Sequence, residues 1–384
     1  MAGFAVAIAV VFAALFAWVG ARALARASAR RPRSLDDTLG GLRKVHVNPT
    51  PRVSGAAVAA GIVVGAVADA AIRGQAGSWL LLLVCVAPGF VWGLIEDFSK
   101  RGAVMVRLTL TAISAALAFI LLDARITRLD LPVLDAILTV PSASFLFTVF
   151  AVTGVAHATN VIDGLNGLSG FNALLASIGL GIVAWVVGDA FVLSAACVLA
   201  ASVGGFLLVN FPRGRIFLGD GGAYLIGLLL ALLSVLLVHR NTEVSPWFPL
   251  MLLAYPIWET LFSMYRRKMR GHSTGRADAL HLHSLVYRRV VRWRGHAASP
   301  ADFVARNSLA SLCLWIIPAL CLPVALVFWK QSLVLQSAAA VFAVAYILVY
   351  RRLVRFRVPS WAVIRAKRRA EADKGAAEAA MRTP

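Results

Sequence analysis

Long runs of apolar residues recur along the chain, and short segments rich in charge, glycine and asparagine separate them. A helix needs about 20 apolar residues to cross the roughly 30 Å hydrocarbon core of a bilayer, and each run has about that length. The pattern therefore predicts an all-α, polytopic membrane protein with eleven transmembrane helices. The predicted spans are 3–20, 53–72, 79–95, 104–122, 143–159, 168–187, 190–209, 222–238, 247–265, 307–328 and 332–350.

The distribution of positive charge predicts the orientation of these spans. The chain is 60% hydrophobic, above the roughly half-apolar make-up of soluble domains, and its formal net charge is +20. If the N-terminus lies outside, the inner connections carry 33 of the 38 Lys and Arg residues. Inner loops of membrane proteins are enriched in these residues, so we expect an outer N-terminus and a cytoplasmic C-terminus.

The same pattern predicts one domain and a tail. Residues 1–350 form a single transmembrane domain, and residues 351–384 form a basic cytoplasmic tail that we expect to be partly disordered. The excess charge favours contact with anionic lipid headgroups. It does not favour nucleic acid, because no basic stretch interleaved with aromatics lies on a soluble module.

Five polar segments fall on the predicted inner side. They are "HVNPTPRVSG" (46–55), "GLIEDFSKRG" (93–102), "HATNVIDGLNGLSG" (157–170), "FPRGRIFLGDGGA" (211–223) and "GHSTGRADALHLHSLVYRR" (271–289). The longest outer connection, 123–142, carries Asp123, Asp130 and Asp135 without a glycine-rich or histidine-rich context. Carboxylates at a membrane boundary are costly unless they are paired, hydrated or functional. We therefore expect a cytoplasmic site built from the inner loops 21–52, 96–107, 158–167, 210–221 and 266–306.

Oxygen ligands in two of these segments predict a site for a hard cation. Asn160 and Asp163 are three residues apart and would share one face of a helix, and Asp220 lies in the following inner loop. Mg²⁺ takes one or two protein carboxylates together with substrate phosphates, so we expect Mg²⁺ here, with Mn²⁺ as an alternative.

Basic residues and histidines nearby predict an anion-binding loop. His281 and His283 alternate in "HLH", Arg276 precedes them, and Arg107 follows the acidic pair by several residues. Together with the cation site, they indicate phosphoryl chemistry on a metal-bound diphosphate.

Several of these features have simpler interpretations. Gly204 and Gly205 in the seventh span are interpreted as helix-packing positions. Glu259 in the ninth span either pairs with Arg266 or contributes to a groove for a lipid tail. The acidic pair in "EDFSKR" is equally compatible with a hydrated helix end.

In order and spacing, "NPTPRVSG", "GLIEDF", "NVIDGLNGLSG", "FLGDGGAYLIG" and the 256–289 segment resemble the polyprenyl-phosphate N-acetylhexosamine-1-phosphate transferases. The resemblance runs from about residue 46 to residue 289. It implies a bacterial inner-membrane enzyme that moves a sugar 1-phosphate, most simply N-acetylglucosamine 1-phosphate, from a UDP-sugar to undecaprenyl phosphate and releases UMP. The partners it implies are these two substrates and the bilayer, with a homodimer left open.

The resemblance also assigns roles by position. It implies metal ligands at Asp220, Asn160 and Asp163. It implies catalytic acids at Glu96, Asp97 and Asp163. Candidate substrate contacts are Arg52, Arg107, Asn166, Phe217, Arg276, His281 and His283, with Phe217 stacking on the uracil and Asn166 contacting the base.

The chain departs from the family pattern at Glu96, Ser54, Ala223 and Ser284. The "PTPR" form and the interrupted histidine run favour the branch that initiates surface polysaccharides such as O-antigen or capsule. The alternatives are the phospho-muramoyl-pentapeptide transferases of peptidoglycan synthesis and a lipid-linked sugar transporter or scaffold without enzymatic activity.

Overall fold

The computed structural model describes residues 2–30, 50–100, 102–271, 280–293, 300–355 and 363–366. Most of these residues are helical. The helices are α1 (Ala2–Arg30), α2 (Gly55–Arg73), α3 (Ala76–Ser99), α4 (Val104–Leu121), α5 (Pro132–Leu138), α6 (Pro141–Val161), α7 (Leu168–Val187), α8 (Ala190–Asn210), α9 (Gly219–Arg240), α10 (Trp247–Leu252), α11 (Ala254–Met269), α12 (Leu282–Arg289), α13 (Pro300–Val327) and α14 (Ser332–Val354). Two three-residue strands, β1 (Val291–Trp293) and β2 (Ile364–Ala366), pair in parallel.

Ten helices in the described part of the chain are long and apolar enough to cross a membrane. Large apolar side chains stand exposed on their outer faces, among them Phe4, Val67, Phe150, Trp185 and Leu208. Such a surface suits a lipid solvent, in which helices satisfy their own backbone hydrogen bonds. The predicted all-α, multi-pass membrane architecture is confirmed.

The predicted ninth span, 247–265, is a broken helix. α10 and α11 meet at Leu253, whose backbone (φ −102°, ψ 17°) leaves the helical region. Pro256 has no backbone N–H and cannot donate to the Leu252 carbonyl, so the hydrogen-bond ladder is interrupted here. The expectation of one continuous helix was therefore wrong.

The two short helices still run from one end of the bundle to the other. The loops 122–131 and 241–246 form one end of the bundle, which we call the opposite end. There the Trp247 indole N–H donates to the Leu129 carbonyl at 2.8 Å. Near the C-terminal end of α11, Arg266 donates to the Leu280 carbonyl at 2.5 Å. Leu280 begins the segment 280–289 that carries His281 and His283, which we call the histidine segment. Within the described residues, the chain thus crosses the bundle eleven times, with the ninth crossing made of the two short helices α10 and α11.

The central helix α9 brings the predicted motifs together. Residues 221–237 are all buried. A Cβ on Gly55 of α2 would lie 2.4 Å from the Gly222 nitrogen, and one on Gly93 of α3 would lie 2.4 Å from the Gly221 Cα. Side chains are excluded at these approaches, so the backbones of α2, α3 and α9 converge at one end of the bundle. We call this end, with its loops 162–167 and 211–218, the motif end.

The acidic residues of the opposite end are used in structural contacts. Both Asp135 oxygens accept backbone N–H groups, from Leu129 at 2.6 Å and from Leu131 at 3.1 Å. Asp130 accepts from Arg128 at 2.9 Å. These carboxylates thus stabilise the loops of the opposite end.

Neighbouring glycines in α8 give a matched test of helix packing. A Cβ on Gly205 would lie 2.4 Å from the Ala14 carbonyl oxygen of α1, whereas a Cβ on Gly204 would meet no described atom within 4 Å. The packing interpretation is confirmed for Gly205 and wrong for Gly204.

We expect Gly205→Ala to force α1 away from α8 and to lower the free energy of unfolding by about 1–3 kcal/mol. Gly204→Ala is the control. It should leave stability unchanged or raise it by up to about 1 kcal/mol, because alanine favours helix over glycine. Thermal unfolding of the two variants in detergent measures the difference, and equal melting temperatures would contradict this packing.

Candidate active site

Two segments, 51–54 and 211–218, are hydrogen-bonded to each other at the motif end. The Phe217 N–H donates to the Pro51 carbonyl at 2.8 Å. The Ser54 hydroxyl and N–H both donate to the Phe217 carbonyl, at 2.6 and 3.2 Å. The Phe217 side chain is buried. The "TPR" and "FLGD" segments are thus held side by side, and the stacking of Phe217 on a base stays a prediction.

The Asp97 carboxylate binds the beginning of α9. Its Oδ1 accepts the Asp220 N–H at 2.8 Å and its Oδ2 accepts the Gly221 N–H at 3.0 Å. The first turn of a helix leaves N–H groups without internal partners, and a carboxylate there is favourable. Gly219 makes the approach feasible, because its φ is +77° and a Cβ on it would lie 2.5 Å from Asp97 Oδ2. Asp97 therefore fixes the position of Asp220.

Asp220 meets Asn160 across the site. The Asn160 side-chain amide donates to Asp220 Oδ1 at 3.1 Å and to the Tyr224 hydroxyl at 3.0 Å. α6 ends at Val161, so Asp163 lies in the turn that follows and not on the helix with Asn160. The Asp163 N–H donates to the Asn160 carbonyl at 3.2 Å, which continues the last helical turn.

The charge balance of this site suits a cation. Burial raises the pKa of Asp163 to about 7, Arg52 opposes this rise, and the Asp220 carboxylate adds to it. A cation bound between the two acids would remove their repulsion. Among the described residues, no group of three or more His, Cys, Asp or Glu side chains can hold a metal ion. Asp163, Asp220 and Asn160 offer two carboxylates and one amide oxygen, which is enough for Mg²⁺ when substrate phosphates and water complete its shell, and Mg²⁺ binding here stays a prediction.

The predicted Glu96 and Arg107 lie together beside this group. Glu96 is buried, and its Oε1 is 3.7 Å from the Arg107 Nε. The Arg107 guanidinium also lies 3.4 Å from the Tyr224 hydroxyl. Tyr224 therefore links Arg107 to Asn160. Sequence reasoning missed Tyr224, although its spacing of four residues from Asp220 places it one helical turn away.

His157, which packs against Tyr224, is a second residue to which the sequence analysis assigned no role. The His157 ring is 5.1 Å from the Tyr224 ring, and its Nε2 is 3.2 Å from the Thr111 hydroxyl. His157 begins the polar segment 157–170, but it still lies within the predicted apolar span 143–159, and no spacing relates it to Thr111 or Tyr224.

The histidine segment packs onto the Asp163 loop. The rings of His281 and His283 are stacked with centroids 5.3 Å apart. A Cβ on Gly164 would lie 2.4 Å from the His283 Nε2, so the imidazole touches the backbone next to Asp163. The structure thus brings these two histidines to the site. Arg276 lies outside the described residues.

Glu259 is fully buried behind this segment. Its Oε1 lies 2.9 Å from the His281 Nδ1, and its Oε2 accepts the Tyr346 hydroxyl at 2.7 Å. Pairing with Arg266 was one sequence interpretation. The Arg266 guanidinium donates to the Leu280 carbonyl and to the Tyr350 hydroxyl.

Asn166 lies buried at the junction of three segments. Its N–H donates to Asn307 Oδ1 at 2.7 Å, and its side-chain amide donates to Ser308 at 3.2 Å and to the Pro212 carbonyl at 3.3 Å. These contacts tie the 162–167 loop to the 211–218 loop and to α13. Contact with a base stays a prediction for Asn166. Asn307 and Ser308 were not anticipated, because no motif marks them.

The model of glycosyl transferase family 4 matches residues 79–238, from α3 to α9. The chain is 31% identical over 311 residues to a decaprenyl-phosphate N-acetylglucosaminephosphotransferase of Mycobacterium tuberculosis, covering 70% of this chain and 76% of that protein. It is 27% identical over 242 residues to a probable undecaprenyl-phosphate N-acetylglucosaminyl 1-phosphate transferase of Bacillus subtilis, covering 63% of this chain and 66% of that protein.

An undecaprenyl-phosphate alpha-N-acetylglucosaminyl 1-phosphate transferase of Escherichia coli is 28% identical over 149 residues, which cover 38% of this chain and 41% of that protein. The similarity to the mycobacterial protein extends over most of both chains, and the matched region 79–238 contains Glu96, Asp97, Asn160, Asp163 and Asp220. The chain therefore belongs to glycosyl transferase family 4, with the polyprenyl-phosphate N-acetylhexosamine-1-phosphate transferases that its motifs resemble.

Proposed function

We propose that this enzyme transfers a sugar 1-phosphate from a UDP-sugar to undecaprenyl phosphate and releases UMP, with UDP-N-acetylglucosamine as the expected donor. The observation that carries the proposal is the placement of Asp220, held by Asp97 and facing Asn160 and Asp163 at one end of the bundle. The names of the relatives support a polyprenyl phosphate acceptor and an N-acetylglucosaminyl donor. We assign the product to the first step of a cell-surface polysaccharide.

The reaction is an attack by one oxygen of the lipid phosphate on the sugar-bearing phosphorus. A new P–O bond forms to that oxygen, and the P–O bond to UMP breaks. A phosphate monoester has a second pKa near 6, so the nucleophile is already mostly a dianion at neutral pH. The enzyme therefore has no need to remove a proton from it.

The chain's own residues bind and orient the two anions. Asp220, Asp163 and Asn160 would hold Mg²⁺, which supplies charge neutralisation for the diphosphate and the departing UMP. Arg107 and the two histidines lie at the edges of this group and suit the remaining phosphate oxygens. Asp97 uses both carboxylate oxygens on the backbone of α9, which supports a positioning role over that of a base.

The geometry disfavours the transporter alternative. A transport pathway places polar side chains near the middle of the membrane. Here Asp97, Asp163 and Asp220 gather at the motif end together with His281 and His283. The peptidoglycan branch would differ in its donor, UDP-N-acetylmuramoyl-pentapeptide, and is decided by the same assay.

The first prediction from the proposed function concerns Asp220. Purified enzyme in detergent should release UMP from UDP-N-acetylglucosamine only when both undecaprenyl phosphate and Mg²⁺ are present. Asp220→Asn should lose at least about 100-fold in rate, since it removes a charge from the cation site. Asp123→Asn is the control, because Asp123 is an exposed carboxylate at the opposite end.

UMP release is measured with a coupled nucleotide assay and repeated with UDP-N-acetylgalactosamine and the pentapeptide donor. Normal turnover of Asp220→Asn would refute the metal site. Release with the pentapeptide donor alone would move the enzyme to the peptidoglycan branch.

A second prediction separates positioning from base catalysis at Asp97. The longer side chain of Asp97→Glu displaces the first turn of α9, and we expect UMP release to slow about tenfold, equivalent to roughly 1.4 kcal/mol. The shape of the rate against pH should stay that of the wild type, because the nucleophile is the lipid dianion. A shift of the acidic limb in this variant would instead support a base.

A third prediction concerns orientation, since we place the protein in the bacterial inner membrane with the motif end in the cytoplasm. A cysteine in place of Glu243, half-exposed at the opposite end, should react with a membrane-impermeant maleimide in intact spheroplasts. A cysteine in place of the exposed Lys100 should react only after permeabilisation. The reverse pattern would overturn the proposed orientation.

A further inference from the structure

The Glu259 carboxylate collects hydrogen bonds from two distant parts of the chain. The backbone N–H of Leu282 lies 3.2 Å from both of its oxygens. The Tyr346 hydroxyl of α14 donates to Oε2 at 2.7 Å, and the His281 Nδ1 lies 2.9 Å from Oε1. A buried carboxylate is stable only when such donors satisfy it.

These contacts determine which nitrogen of His281 carries a proton. An ionised carboxylate only accepts hydrogen bonds, so the Nδ1 that faces Glu259 must be the N–H donor. A phosphate oxygen accepts hydrogen bonds, so a bond to it from Nε2 requires that Nε2 carry a proton as well as Nδ1. At many metal and catalytic sites, a carboxylate that is hydrogen-bonded to one ring nitrogen of a histidine fixes the orientation of the ring in the same way.

The orientation of His281 is passed on to the site. Its ring lies nearly parallel to that of His283, with an interplanar angle of 8°. His283 in turn touches Gly164, the residue next to Asp163. A rotation of the His281 ring would disturb this stack and the loop that carries Asp163.

The last described helix, α14, supports the histidine segment at two points one helical turn apart. Tyr346 contacts Glu259, and the Tyr350 hydroxyl donates to the Leu280 carbonyl at 3.2 Å. Their rings are nearly parallel, with centroids 6.3 Å apart. Both tyrosines lie well beyond the 79–238 region that the family model matches.

We propose that Glu259 and Tyr346 are positioning residues that fix the ring of His281 with its Nδ1–H directed at Glu259, and that this orientation places the His281 and His283 pair for the phosphate oxygens of the substrates. The part of this inference that concerns phosphate binding rests on the proposed function. The part that concerns the imidazole does not, and it is tested without turnover.

The spectroscopic test uses ¹⁵N-histidine-labelled protein in lipid bilayers. The chain has seven histidines, so the His281 signals are assigned by comparison with His281→Asn. We expect a protonated Nδ1 in the wild type and a measurable change of that signal in Tyr346→Phe and in Glu259→Gln. Tyr255→Phe is the matched control, because this buried hydroxyl of the same cluster has no hydrogen-bond partner within the described structure.

The kinetic test uses the same variants. Glu259→Gln should slow UMP release about 10- to 100-fold, as loss of a carboxylate behind a working imidazole usually does. Tyr346→Phe, which keeps the ring and loses one hydrogen bond, should slow it by up to about tenfold. Tyr255→Phe should retain the wild-type rate. If Glu259 acts through His281, adding Glu259→Gln to His281→Asn should cost less than about twofold more.

The outcomes separate the two proposals. An inactive wild-type enzyme would refute the proposed function, and the spectra would still decide the orientation of His281. An unchanged Nδ1 signal in both Glu259→Gln and Tyr346→Phe would overturn the inference, even if UMP release fell. Fully additive losses in the double variant would also overturn it, because Glu259 would then act independently of His281. If Glu259→Gln fails to fold, Tyr346→Phe carries both tests.

Discussion

The site depends on the hydrogen bonds between one carboxylate and the first turn of a buried helix. α9 is enclosed on all sides, so the N–H groups of its first turn have little access to water. Asp97 accepts two of these N–H groups, and this fixes the position of Asp220 relative to α3. Glycines at the same level let the surrounding backbones come close enough for a short aspartate to reach. The position of Asp220, the acid that we assign to the cation site, is thus set by helix capping.

Around this fixed point, charge is arranged so that the substrates complete the site. Burial raises the pKa of the Asp163 carboxyl, Arg52 opposes this rise, and the charge of Asp220 adds to it. Arg107, Glu96 and Tyr224 form a second polar group beside them. Such an array is costly at the boundary of a membrane and is retained when ligands use it. The polar groups of the opposite end, in contrast, satisfy one another.

Much of this could be read from the sequence. Apolar length predicted the crossings, and the convergence of motif segments at one end was correct for the segments that the structure describes. The break at Leu253 was missed because two short apolar helices in series have the same hydropathy as one long helix. Glu259 and Tyr346 lie 87 residues apart, and no local pattern relates them. Tyr224 and His157 sit in apolar runs, where an aromatic residue normally indicates packing alone.

The support of the histidine segment by α14 has a consequence for biosynthesis. Asp97, Asp163, Asp220 and Glu259 all precede α14 in the chain, so a nascent chain carries the acids of the site while Glu259, which contacts His281, still lacks the hydrogen bond from Tyr346. Domains and helices insert in the order of synthesis, and the last contact to form completes the assembly. A partly made chain therefore carries an incomplete centre, and the support of His281 is completed only once α14 has been made.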